Sequence, residues 1–157
     1  MAFDIPISDL PGSTGQFFAT FARAEFALKR AGYLTCNPGD DGAKPDWNRA
    51  ASELGERFFL RMRDAQQAQV FFDAPPQRQV VRTNGSLSWD DCEIPSNTLD
   101  LLNAVKRVRN NLFHGGKLPG VPGNEPSRNE RLLTAGLFVI SQVVLADAAL
   151  NIAFRSD

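Results

Sequence analysis

Leu99-Asp100-Leu101-Leu102-Asn103-Ala104-Val105-Lys106-Arg107-Val108-Arg109-Asn110-Asn111-Leu112-Phe113-His114-Gly115-Gly116 reads as one helix and its stop. Its apolar residues recur three and four apart, which suits a helix rather than the alternation of a half-buried strand. The helix opens after Ser96 and closes at Gly115, because glycine takes the left-handed C′ conformation at low cost. At about 100° per residue, Leu99, Leu102, Val105, Leu112 and Phe113 fall within roughly 80° of Arg109. Asp100, Asn103, Arg107 and Asn111 occupy the opposite face. A guanidinium near the middle of an apolar stripe needs a partner, since burying a charge alone is costly.

The same spacing predicts three more helices. The first covers about residues 13–31, with Ser13 as N-cap, Gly32 as stop, and Phe17, Phe18, Phe21, Phe26 and Leu28 at helical intervals. The second starts around Pro45 and runs to about Phe72, burying Trp47, Ala51, Leu54, Phe58 and Met62 before Pro75-Pro76 ends it. The fourth opens on a Ser127/Glu130 capping box. Its stretch over residues 132–154 is long enough to span a membrane, but Asp147 would be expensive in lipid. A central helix covered by protein, with no membrane partner, is expected there. Residues 79–89 read as a short hairpin around Asn84-Gly85 in a type I′ turn, or as a structured loop. The whole is an all-α chain, a four-helix up-and-down bundle forming a single domain over residues 1–157.

The first helix carries an anomaly of its own. Glu25 lies on the side of Phe18, Phe21, Ala22 and Leu28, so this carboxylate also points inward. Opposite charges centred on two apolar stripes have a joint solution: Glu25 and Arg109 meet, or share a polar cavity, where the first and third helices pack. The plain alternative is an ion pair that fixes helix register and does nothing else.

Net charge is −1 with 43% hydrophobic and 22% charged residues, so no global basic field draws the chain to nucleic acid. Any such contact has to be local, and Lys106, Arg107, Arg109 and Lys117 cluster in one place. They either line a basic cleft or merely solvate a helix face and satisfy its C-terminal dipole. Cys36 and Cys92, with a single histidine, do not make a zinc site, and reduced thiols are expected. The Asp40-Asp41 loop reads as a solvated turn rather than a calcium loop. Residues 1–6 have neither a basic nor a long apolar leader segment, which points to the cytoplasm.

His114 is the chain's one histidine, and thus the one imidazole able to give and take protons near neutral pH. On an uninterrupted helix it lies about 140° from Arg109, with Asn110 much closer to it. The length of arginine and an unwinding at Gly115-Gly116 are the two routes by which these groups could converge.

Arg109-Asn110-x-x-x-His114 followed by Gly115-Gly116-Lys117 resembles the signature of HEPN domains, small helical proteins many of which are metal-independent ribonucleases serving as toxins or defence effectors. The resemblance rests on about ten residues of the third helix. It implies that Arg109 stabilises a phosphorane, Asn110 orients the site and His114 handles protons, with Glu25 in support. Lys106, Arg107 and Lys117 would contact RNA, and a homodimer would supply two copies of each catalytic group to one cleft. No metal or cofactor is implied; a nucleotidyltransferase-like antitoxin is the partner that the family suggests. Two other readings stay open: a catalytically silent HEPN-like module that binds nucleotides or RNA or scaffolds a partner, and a helical interaction protein whose Arg109 and Glu25 are structural.

Overall fold

A computed structural model describes residues 10–35, 38–39, 42–116 and 125–156. The segments holding Cys36, the Asp40-Asp41 pair, Lys117 and the leader residues 1–6 lie outside these. The described residues are mostly helical: α1 (Thr14–Arg30), α2 (Trp47–Asp64), a 3-10 turn (Gln66–Ala68), α3 (Val70–Asp73), α4 (Thr98–Phe113), α5 (Pro126–Ala146) and α6 (Ala148–Arg155). Strands β1 (Arg78–Val81) and β2 (Leu87–Asp90) form one antiparallel pair between α3 and α4. The buried apolar side chains make one cluster that draws on every long helix.

Among the described residues six helices stand where four were expected, for identifiable reasons. The predicted second helix stops at Asp64, where Ala65 turns extended, and a 3-10 turn and the one-turn α3 fill the rest. Within α2, Gly55 leaves helical geometry at φ 63° and ψ −170°, and Thr98 of α4 donates from Oγ1 to the freed Gly55 carbonyl at 2.7 Å. The predicted fourth helix divides at Asp147, whose extended backbone ends α5 and whose Oδ1 accepts from the Leu150 N–H to cap α6.

Capping also differs from the expectation. The start of α2 does lie near Pro45 as expected, but its cap is Asp46, which accepts from the Arg49 N–H at 2.9 Å. The Ser127/Glu130 box does not form: Pro126 opens α5, and Glu130 instead accepts from the Ser13 hydroxyl. Ser13 holds the N-cap position of α1 but spends its side chain on that tie between α1 and α5. The hairpin is present, with Val81 opposite Leu87, yet its turn is not type I′. Asn84 keeps a negative φ and Gly85 alone is left-handed, at φ 81°, which gives a type I turn closed by a glycine bulge.

Helix α5 is the hub, with α1, α4, α6 and the 3-10 turn laid against it. Among the described residues it is the one helix long and apolar enough to cross a membrane, and half of its most apolar window is buried inside the fold. Helix α4 packs chiefly on α2 and α5, while α1 packs on α5 and α6. Thus α1 reaches α4 through long side chains rather than by close backbone packing, a correction to the expected helix contact.

Tyr33 ties the far end together, its hydroxyl 2.6 Å from Glu53 Oε2 and 3.0 Å from Asp147 Oδ2. The bond to Glu53 first, then burial and Asp147, raise its pKa above the ordinary value of 10.0. In the folded chain the hydroxyl therefore keeps its proton where the unfolded chain begins to lose it. The stability this gives is whole below pH 10 and is lost as pH climbs through the raised folded value. Between about pH 10 and 11.5, the melting temperature of the wild type should fall more steeply than that of Tyr33→Phe. Parallel curves for the two proteins would contradict this assignment.

Candidate functional site

The last turn of α4 ends in a Schellman motif. Gly115, at φ 76°, donates to the Leu112 carbonyl at 3.1 Å, and Gly116 donates to that of Asn111 at 2.8 Å. The glycine stop read from sequence therefore lies where expected. Gly116 has a second constraint, because a Cβ there would sit 2.9 Å from Trp89 Cη2. The hairpin thus rests on the end of the motif helix. His114 occupies the C-cap, its backbone N–H bonded to the Asn110 carbonyl at 3.0 Å and its ring exposed, edge-on to Phe113 at 5.5 Å.

Glu25 and Arg109 do meet: Nη1 of the arginine lies 3.6 Å from Glu25 Oε1. The same oxygen accepts from the indole N–H of Trp47 at 3.1 Å, and the guanidinium covers the Phe21 ring at 4.8 Å. Neither charge lies at the middle of its buried stripe. In α4 the burial of Leu101, Ala104, Val108 and Leu112 draws the stripe's centre roughly 70° away from Arg109. In α1, Phe17, Phe21, Ala24 and Leu28 do the same to Glu25. The pair is a boundary pair, 32% and 24% exposed, and Phe113, expected in the stripe, is 75% exposed. Water and solutes can reach it, so its desolvation cost is well below that of a sealed ion pair.

Arg109 does not line the groove that His114 faces. That groove, of about 500 Å³, is walled by Asn103, Lys106, Arg107, Asn110, Asn111 and His114 on α4. Arg78 and Gln79 of β1 stand across it. Asn110 links the two sites, since its Oδ1 accepts from Arg109 Nε at 3.1 Å while its residue lines the groove. Lys106 is a second link. Burial and then the charge of Arg109 lower its pKa from the ordinary lysine value, with Glu25 opposing. Arg107 lines the groove and donates to the Pro76 carbonyl at 3.4 Å.

Among the described residues, none that lines this groove is acidic. A smaller cleft of about 290 Å³ beside Tyr33 mixes Arg57 and Arg61 with Glu53 and Asp147, whose carboxylates are already engaged. The groove at His114 is therefore single-signed in a chain of net charge −1, which concentrates positive potential there. Among the described residues, no group of three His, Cys, Asp or Glu side chains could hold a metal ion.

Sequence reasoning missed Trp47 as a partner of Glu25 and both β1 residues of the groove. A tryptophan in the first turn of α2 could have been flagged, because a buried indole N–H usually finds an acceptor. Arg78 carried no local signal. Comparison with family models, curated proteins and solved structures returns no match for this chain.

Proposed function

We propose that this chain is a metal-independent endoribonuclease of HEPN type, a cytoplasmic toxin or defence effector held in check by a nucleotidyltransferase-like antitoxin. The observation that carries the reading is the groove that, among the described residues, sets one imidazole beside three cations and no carboxylate. The mostly helical fold of the described residues supports this reading.

In this reading a base removes the ribose 2′-hydroxyl proton, and the 2′-oxygen attacks phosphorus. The bond from phosphorus to the 5′-oxygen breaks, and an acid returns a proton to that oxygen. Products are a 2′,3′-cyclic phosphate and a 5′-hydroxyl. Arginine suits the crowded phosphorane because its planar donors match two phosphoryl oxygens. One chain supplies one imidazole, and Arg109 faces Glu25 rather than the groove. A two-fold dimer that sets the His114 end of one protomer against that of its partner would supply acid and base to one cleft, and each Arg109 would join them by turning from Glu25. Exposed Phe113, beside His114 and edge-on to Phe18 at 6.4 Å, favours such a contact.

Incubation of purified protein with end-labelled RNA in EDTA tests the proposal. Cleavage leaving cyclic phosphate termini is expected. Cleavage that EDTA abolishes, or products bearing 5′-phosphate, would refute it. The turning of Arg109 onto Glu25 and Phe21 favours a second reading, a silent module that binds RNA or nucleotides or scaffolds a partner; that module would bind without cutting.

A further inference from the structure

We infer that Lys106 is a nucleophilic lysine and that the groove beside His114 is a site of covalent modification, where Nζ takes an acyl group from an acyl phosphate. Nothing in this requires that the chain cleave RNA.

An amine attacks only in its neutral form, and two conditions favour that form: loss of water around the nitrogen and cations close by. Both hold at Lys106. The residue is half-buried on α4, and among the described residues the one polar contact of Nζ is with Asn103 Oδ1 at 3.5 Å, the long limit of a hydrogen bond. No carboxylate among the described residues pairs with it. Glu25 of α1 is turned to Arg109 Nη1 at 3.6 Å and to the Trp47 indole at 3.1 Å. Asp90 of β2, across from Arg78, is taken by Arg82 Nη2 at 2.6 Å. The other charged or titratable groups around Lys106 are Arg109 on the same helix, Arg107 and His114 along the groove, and Arg78 of β1. Burial first and Arg109 second accordingly hold the amine below the ordinary lysine value of 10.5, with Glu25 in opposition.

The groove also selects the donor. It is open, and among the described residues that line it none is acidic, so it gathers anions. In an acyl phosphate the charged group is joined through one oxygen to the electrophilic carbon. Drawing that phosphate to Arg107, the next residue, brings the carbon close to Nζ, whereas a donor whose charge is remote from its acyl group gains no such placement. The lone pair of the neutral amine attacks the carbonyl carbon, and the bond from that carbon to the phosphate oxygen breaks. Phosphate leaves with the electron pair and takes the proton from nitrogen, so the products are an amide and hydrogen phosphate. The amide is neutral. Acylation thus removes one of the three cations among the described residues of the groove and weakens its hold on any polyanion.

Wild-type protein treated at about pH 7.5 with acetyl phosphate and, in parallel, with a neutral acetylating ester provides the test, each lysine being followed by mass spectrometry of proteolytic peptides. Lys106 should be acetylated several-fold faster than the exposed Lys44 with both reagents. Its lead should be larger with acetyl phosphate, and added salt should shrink that excess while sparing the lead with the ester. The initial rate at Lys106 should level off below pH 10.5. Two variants should move it in opposite directions: Arg109→Gln, which removes a cation, slows labelling of Lys106, and Glu25→Gln, which removes the opposing charge, speeds it. Melting curves verify that both variants are folded at the labelling temperature, and the wild-type result stands without them. Labelling of Lys106 by the ester no faster than that of Lys44 overturns the nucleophile. A lead with the ester that acetyl phosphate does not enlarge overturns the acyl phosphate as donor.

Discussion

Alanine at position 114 is expected to slow RNA cleavage by about 10²–10⁴-fold, the range for removing a general acid or base. Stability should hardly change. The imidazole is exposed, and the helix depends on the His114 backbone N–H rather than on its side chain. An exposed substitution of this kind usually shifts stability by less than about 0.5 kcal/mol. Arg109→Ala separates from it in a telling way. It removes the contact with Glu25, the cover on Phe21 and the bond to Asn110 together. Its rate should fall by about 10²–10³-fold if the guanidinium steadies the phosphorane. It should also cost about 1 kcal/mol, because the pair is partly exposed and its attraction is screened. Single-turnover cleavage and urea unfolding of the two variants provide the comparison. Full activity in His114→Ala would remove the imidazole from the mechanism. Full activity in Arg109→Ala would leave that arginine as a clamp between α1 and α4.

The legible parts of the fold were those governed by neighbours in sequence. Gly32 and Gly115 could be read as helix stops because a left-handed φ, here 90° and 76°, suits glycine above other residues. The meeting of Glu25 and Arg109 could be read because two charges broke two apolar periodicities. What could not be read depended on distant partners. Asp147 looked like a polar interruption in one long helix, but it is a cap that also reaches Tyr33, more than a hundred residues earlier. Glu130 fitted a local capping box and was claimed by Ser13 instead. In the site, Arg78 and Gln79 stand at the groove because Asn111 of α4 and Arg128 of α5 hold the chain just before β1, which no helical projection can foresee. Even the ion pair was misplaced in depth: Leu101, Ala104 and Val108 outweighed the apolar residues nearest Arg109.

Phe17→Ala carries the largest expected loss of stability, about 3–5 kcal/mol, from the transfer of a phenyl ring and the cavity it leaves. Phe17 is fully buried, and its ring lies against Phe18 and Phe21 at 6.2 and 5.9 Å. It also presses on α5 at Gly136, where a Cβ would stand 2.7 Å from Cε2. No side chain at 136 can move into the vacated space, so the cavity cannot close from that side. At about 2–4 °C per kcal/mol for a chain of this size, the melting temperature should drop by roughly 10–15 °C. A loss below about 1 kcal/mol would mean that the α1–α5 contact is far more plastic than its geometry suggests. The groove depends on other contacts, because α4 is held by α2 and α5, and β1 by Asn111 and Arg128. Well below its melting point, Phe17→Ala should therefore cleave RNA at close to the wild-type rate, the reverse of the pattern expected for His114→Ala. A parallel collapse of cleavage and stability in Phe17→Ala would show instead that α1, through Glu25 and its hold on Arg109, is part of what makes the site work.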